Sequence, residues 1–454
     1  MLDSNAYLSR IRNHKTLTAA DQRRLILSLS WPAILAQISV TVMQLIDSSM
    51  VGQLGTNASA SIGLVASSTW LINGLASGFI FGFSVQTSQA IGAQDLDLAR
   101  NLCRQGLLVI LSAGMILMGI GASLCEFIPV WLGGEEAILR DASSYLLIFC
   151  FSLPFSMLNN WAVQMLQGAG DTRVPGLTQI VMCLLDVVFN WFFIYKMNLG
   201  VLGAALGTGS SVLVASLFLS FWTLFRNPFL KGRTRIHFTK TTLTRAVQIG
   251  LPISVEQVIS GSSYVAFTRI VSSLGTVSIA ANSFAITAES LCYMPGFGCA
   301  SAATAIIGQC TGAGRDHLVK EISWRITRIG IIMMSLSGVA MFILAPYLMA
   351  ILTPVQEVQN IGAALLRLEA FSEPMYGASI VINGILRGKG DTLWPSILNF
   401  ASIWCVRIPL AALFSAWFGL FGAWIAMGIE LNFRGIIFLL RLWHSTKNVV
   451  QAAS

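Results

Sequence analysis

Charge is what this chain has least of. Asp, Glu, Lys and Arg make up 11% of its 454 residues, against about 25% in soluble domains. From Asp47 to Asp95 no charged side chain intervenes. Such scarcity excludes a water-soluble globule, because apolar runs of this length are long enough to cross a bilayer, which takes roughly 20 helical residues. Period-two alternation is also missing. Stretches such as GLLVILSAGMILMGIGASL (106–124) are apolar throughout, which excludes a membrane barrel and leaves helices as the spanning elements.

Reactive side chains are scarce as well. The four histidines (His14, His237, His317, His444) lie in loops or near the ends, and neither HExxH nor GxSxG occurs. A metallohydrolase or serine-hydrolase reading therefore has no residues to rest on, and no enzyme is expected. The eight cysteines are scattered singly without CxxC or CxxxxC spacing, as small buried hydrophobes are. Residues 1–24 are polar and precede no small-residue cleavage site, so a signal peptide is not expected. The first span then also serves as the insertion signal. The net charge of +8 raises the question of nucleic acid, but the basic residues sit in short loops, as they do in membrane proteins. A lipid bilayer is the expected partner instead.

What is present is twelve apolar stretches, near 25–50, 58–86, 104–128, 143–166, 176–195, 202–225, 247–272, 278–306, 327–350, 362–386, 394–416 and 420–443. An even number puts both termini on one side. Of 28 basic residues, 22 fall on that side, and only Arg140 and Lys196 lie in opposite loops. The expected topology therefore has both termini in the cytoplasm. The chain also repeats itself. WPAILAQISVT (31–41) returns as LPISVEQVISG (251–261), LGT (54–56) at 274–276, and QAIGA (89–93) as QCTGA (309–313). CFSLP (150–154) returns as AFSEP (370–374), and QGAGDTRVP (167–175) as RGKGDTLWP (387–395). All share an offset of 220 residues. Two copies of a six-span unit inserted in the same orientation should be related by a pseudo-twofold axis along the membrane normal, as in transporters. The expected layout is a cytoplasmic segment 1–24, an amino-terminal lobe 25–225, a basic linker 226–246, a carboxy-terminal lobe 247–443 and a cytoplasmic tail 444–454.

Ionisable groups inside spans mark function, because even lenient insertion scales put each at about 2.5–3.5 kcal/mol at a helix centre. Asp186 lies roughly 15 Å from both ends of its span at 1.5 Å per residue, which is mid-membrane. Glu256 lies about 16 Å in from Arg245. Glu289 is far from any other charge in sequence. Glu369 and Glu373, four apart, are expected on one helical face. Asp47 is about 35 Å along a helix from Arg24, so depth alone leaves it open between a buried site and a solvated helix end. Glu430 and Arg434 have ion-pair spacing, and Arg407 is expected as a structural counter-ion. In LLDVVFNWF, Asp186 and Asn190 put a carboxylate and an amide on one face. Oxygen ligands suit sodium and a desolvated carboxylate suits a proton, and the sequence does not choose between them.

Together, LIDSSMVGQLG, QAIGAQD, QGAGDTRVP, DVVFN and LGVLGAALGT, with their second-half counterparts, resemble the MATE family (multidrug and toxic compound extrusion) over about residues 20–445. The resemblance implies two six-helix lobes forming a V. It implies export of drugs or organic, often cationic, amphiphilic metabolites by alternating access, driven by inward Na+ or H+, with no cofactor beyond that ion. By the same resemblance Asp47, Asp186, Asn190 and Thr208 are the cation-coupling residues, and Asp47, Asp186 and Asn190 are metal ligands if the ion is sodium. Met182 stands where some members have an asparagine. Glu256, Glu289, Glu373 and Gln37 are candidates for the substrate or a second cation. Asp171 and Asp391 are expected to structure loops. A monomer is expected. The alternative is a flippase for lipid-linked substrates, which would line its cavity with several basic residues, whereas only Arg407 and Arg367 are on offer.

Overall fold

A computed structural model describes residues 4–232 and 234–451; the outermost residues of the expected terminal segments, and Arg233 of the linker, lie outside it. The helices are α1 (Ser4–Arg12), α2 (Ala19–Gly52), α3 (Thr56–Gly92), α4 (Leu96–Leu124), α5 (Phe127–Trp131), α6 (Glu136–Gly168), α7 (Arg173–Asn190) and α8 (Gly200–Phe221). They continue with α9 (Lys240–Ser272), α10 (Thr276–Gly312), α11 (Asp316–Leu352), α12 (Gln356–Glu369), α13 (Glu373–Lys389), α14 (Leu393–Ser402) and α15 (Ile408–Gln451). No strand occurs among the described residues. The chain is a multi-pass, all-helical membrane protein. Nine segments among the described residues have the length and hydropathy to cross a bilayer. The last, Leu393–Lys447, turns at Gly419, whose φ of 59° breaks helical geometry and which glycine adopts without a Cβ clash. That makes two spans of one, and α9 with the α12–α13 pair brings the number to twelve.

Side chains are arranged as lipid demands. On α7, Leu177, Leu184 and Val188 are exposed, while Thr178, Gln179, Asp186 and Asn190 are buried. Apolar groups face outward and polar groups inward, the reverse of a soluble helix.

The chain forms two compact units, residues 1–37 with 258–454 and residues 38–257. Their limits differ from the expected lobes 25–225 and 247–443, because they fall inside α2 and α9 at Gln37 and Gln257, positions matched in the repeat. The reason is close helix contact. In the unit 38–257, a Cβ on Gly78 of α3 would run into Ser254 of α9, and Gly82 is as tight against Ala246. In the other unit, Gly298 of α10, the repeat partner of Gly78, is just as close to Ile34 of α2. The linker lies within the unit 38–257. Asn101 and Gln105 donate to the His237 carbonyl at 3.1 and 2.6 Å.

In the unit 38–257, α6 is the centre, packed against α3, α4 and α8, with Trp161, Met165 and Phe83 buried. In the other unit α10, α11 and α13 pack together, and Trp424 donates to Asn282 Oδ1 at 2.9 Å. There the amino-terminal segment is ordered. Leu8 and Ile11 of α1 are buried, and burial holds the Arg12 guanidinium below its usual range. Arg315 donates to the Lys15 carbonyl at 2.7 Å.

One expected span is two helices. Residues 362–386 were expected to be continuous, but α12 stops at Glu369 and α13 starts at Glu373 with proline in its first turn. Proline disfavours helix in the residue before it and lacks an N–H. The break is fixed from α15, where Asn432 donates to Ser372 Oγ at 3.1 Å and to the Gly428 carbonyl at 2.8 Å. The repeat-matched CFSLP stays inside continuous α6 despite Pro154.

Candidate functional site: a carboxyl pair and a buried acid cluster

α7 carries Thr178, Met182, Asp186 and Asn190, spaced by four, all buried. That spacing makes one polar stripe along the inner face. Asp186 is fully buried. Asn190 Nδ2 donates to Asp186 Oδ2 at 3.0 Å and to Asp47 Oδ1 on α2 at 2.8 Å. The Asp47 and Asp186 carboxyls are themselves within hydrogen-bonding reach of each other. Asp47 is therefore no solvated helix end. α2 runs on to Gly52, and the side chain turns inward.

α8 closes the third side. Ser211 Oγ lies 3.2 Å from Asp186 Oδ1 and 2.9 Å from the Thr208 carbonyl. Thr208, expected among the cation-coupling residues, takes part here through its backbone, and Ser211, one turn later, presents the hydroxyl. Gly207 is what admits Asn190. A Cβ there would lie 2.8 Å from the Asn190 backbone nitrogen and collide with its side-chain amide. Met182 joins Met43, Cys183 and Ala215 in an apolar cluster beside the acids. Past Asn190 the helix widens into a π-turn, Trp191–Lys196, a local form common at functional sites. From that turn the Tyr195 hydroxyl donates to Gln53 Oε1 at 2.8 Å and reaches the Met50 carbonyl at 3.4 Å, tying down the end of α2.

The site thus gathers two carboxyls, one amide that serves both, and one hydroxyl. Among the described residues neither carboxyl has a basic partner. Two negative charges side by side in a dry interior are not tolerable without a neutralising species. A proton or a small hard cation between the oxygens supplies that.

A second group of buried acids lies in the other unit. Glu289 of α10, Glu369 and Glu373 are all nearly inaccessible and within electrostatic range of one another. Among the described residues no group donates to either oxygen of Glu369 or Glu373. Although four apart, these two flank the helix break instead of sharing one helix. Tyr293 and Tyr376 stand beside the acids in edge-to-face contact, centroids 5.7 Å apart. No group of three metal-binding side chains close enough to hold one ion occurs among the described residues. Nearby, Glu430 is gripped by Arg407 and Arg434, each at 2.6 Å. The i,i+4 ion pair is there, and Arg407 makes it a triad. Glu256 is buried on α9 in the unit 38–257, while Gln37 is partly exposed on α2 in the other.

The two repeat-matched loop aspartates are staples. Asp171 accepts from the Val174 backbone N–H at 3.2 Å and from the Trp222 side chain. Burial raises its carboxyl above the usual range. Asp391, its repeat partner, pairs with Arg441 at 2.6 Å, and that guanidinium lies over Trp394 at 4.6 Å.

Comparison with known proteins bears on the fold and the repeat. The MatE family model matches twice, over residues 32–192 and 252–413, starting 220 residues apart as the repeat does. A protein of Thermotoga maritima described as the probable multidrug resistance protein NorM is 27% identical, with 92% of this chain and 91% of that protein covered. The probable multidrug resistance protein YoeA of Bacillus subtilis is 24% identical, covering 87% and 88%. The solved MATE transporter VcmN of Vibrio cholerae superposes with a TM-score of 0.89 at 18% identity, covering 98% of both chains. That last likeness shows the fold.

Proposed function

This chain belongs to the MatE family, whose members are transporters and not enzymes, and from that premise we propose that it is a cation-coupled antiporter exporting amphiphilic organic molecules. The relatives' description as multidrug resistance proteins supports drugs and organic, often cationic, metabolites as the substrate class. The coupling ion is Na+ or H+, taken up by Asp47 and Asp186 with Asn190 and Ser211. The observation that carries this reading is the contact of one amide with two carboxyls that have no basic counter-charge among the described residues.

When the ion binds, the repulsion between the carboxyls is relieved and α2 can settle against α7. When it leaves, the charged pair must be rehydrated or separated, and the outer part of α2 moves away. Pro32 interrupts the α2 hydrogen-bond ladder, giving the helix a place to bend. Coupling follows if ion and substrate favour different states. Glu289, Glu369 and Glu373 offer negative charge for a cationic substrate or a second ion, with Tyr293 and Tyr376 as aromatic surface. Gln37 and Glu256 stay candidates for the substrate or a second cation, each within its own unit, and the termini face the cytoplasm of a monomer in the inner membrane. Arg407 is already held by Glu430, which leaves little basic surface for the phosphates of a lipid-linked flippase substrate.

The test is dye transport in inverted membrane vesicles, energised first by a sodium gradient and then by a proton gradient. Transport driven by one of them and collapsed by its dissipation is expected. Transport driven by neither, or only by ATP, contradicts the proposal.

A further inference from the structure

Arg367 is a charge in an apolar place. It lies about 16 Å along α12 from Gln356 at 1.5 Å per residue, within the hydrocarbon depth. Its side chain is exposed. The Nε–H donates to the Phe342 carbonyl at 3.4 Å, and the guanidinium stands over the Phe342 ring at 5.7 Å. Among the described residues it has no carboxylate partner. Glu369 and Glu373 are close in sequence but turned inside. Helix side chains tilt toward the helix amino terminus, so the guanidinium leans toward the membrane face where α12 begins. An exposed guanidinium at this depth requires an anion or a path to the headgroups.

Beside it runs a groove of about 240 Å³ lined by Gly338, Val339, Phe342, Ala370 and Phe371. Its walls are apolar and open outward: Val339 is 59% and Phe371 74% exposed. The helix break creates it, because α12 ends just before Phe371 and the ring swings out to meet Phe342 edge-to-face at 5.9 Å. The floor is Gly338. A Cβ there would lie 2.9 Å from the Ala370 carbonyl and 3.1 Å from Glu373 Cβ, so only glycine lets the helix break sit this close to α11.

We propose that this groove holds an acyl chain of an anionic phospholipid whose phosphate pairs with Arg367. A planar guanidinium fork matches phosphate oxygens, and the apolar slot next to it accepts the chain that hangs from the same headgroup. Charge and shape point to one molecule: a lipid with a negative head and a long tail in the leaflet nearest Gln356. The site is independent of the ion-coupling reading, since it uses neither Asp47 nor Asp186.

The test uses the purified full-length protein, offered equal amounts of phosphatidylglycerol and phosphatidylcholine with identical chains, with retained lipid counted by native mass spectrometry. Wild type should retain phosphatidylglycerol in preference by about tenfold, the worth of one charge-assisted contact. Arg367→Gln should bring the ratio close to one. Phe371→Ala, which removes one wall of the groove, should lower retention of both lipids. Arg140→Gln, near the start of α6, should change nothing. Equal ratios in wild type and Arg367→Gln would overturn the site. Free oleate displacing phosphatidylglycerol at equal concentration would overturn its assignment to a phospholipid.

Discussion

Asn190 Nδ2 lies 2.8 Å from Asp47 Oδ1, and this contact joins α2 to α7 at the point where a half-buried acid on one meets a fully buried acid on the other. The same nitrogen serves Asp186. The amide therefore holds two carboxyls close while neutralising neither, and the site's chemistry follows from that shortfall.

Removing the amide should separate the acids. Asn190→Ala gives up two hydrogen bonds to carboxyls, each worth about 1.5–3 kcal/mol when the partner is charged. Dye transport per folded molecule should fall at least about tenfold. Efflux measured beside thermal unfolding of the same preparation separates the two effects; a stable variant with undiminished transport would contradict the assignment.

Gly207 and Gly209 make a matched pair. A Cβ at 207 collides with Asn190, whereas one at 209 meets only Ser152 Cβ at 3.5 Å. Gly207→Ala should therefore destabilise by about 1–3 kcal/mol, the range for overpacking, and abolish transport. Gly209→Ala should leave both nearly unchanged. Melting curves and efflux on the two variants check this.

The Glu430 triad is expected to matter for folding first. Glu430→Gln leaves Arg407 and Arg434 facing each other without their carboxylate, and loss of one buried partner costs about 3–5 kcal/mol. The folded yield should drop sharply. Glu430→Gln combined with Arg407→Met should recover part of it, because one unpaired charge is gone. Detergent-solubilised yield by size exclusion reads this directly.

The loop staples are expected to be separable from transport. Asp391→Asn weakens a partly exposed pair with Arg441, worth about 1 kcal/mol or less, and Asp171→Asn keeps a side chain able to accept from Val174. Both variants should melt slightly earlier and transport within about twofold of wild type per folded molecule. A loss of transport without loss of stability would give these aspartates a direct role.

Much of this was legible in the sequence, for physical reasons. Scarcity of charge and length of apolar runs fixed the membrane and the helices. A constant offset between repeats fixed the two six-span copies. The i,i+4 spacing of Asp186 and Asn190 placed them on one face, and there they are. Asp47 was ambiguous because depth along a helix says nothing of the direction a side chain turns. Ser211 was missed because a serine in GTGSS has no feature that separates it from Ser210 or Thr208; only the approach of α8 to α7 selects it. The break at Ala370–Ser372 had a cue in Pro374, yet the repeat-matched Pro154 leaves α6 whole, so local sequence alone did not decide. The placement of the unit limits at Gln37 and Gln257 depends on glycine contacts between distant helices, to which hydropathy is blind.

The most direct measurement is ion movement triggered by substrate. Purified protein in sealed liposomes is given a transported dye on one side, and release of protons or of labelled sodium is recorded. The account predicts a stoichiometric ion flux from wild type, and none from Asp47→Asn or Asp186→Asn although both still bind the dye. Undiminished dye-driven ion flux from the Asp47→Asn and Asp186→Asn double variant would contradict it.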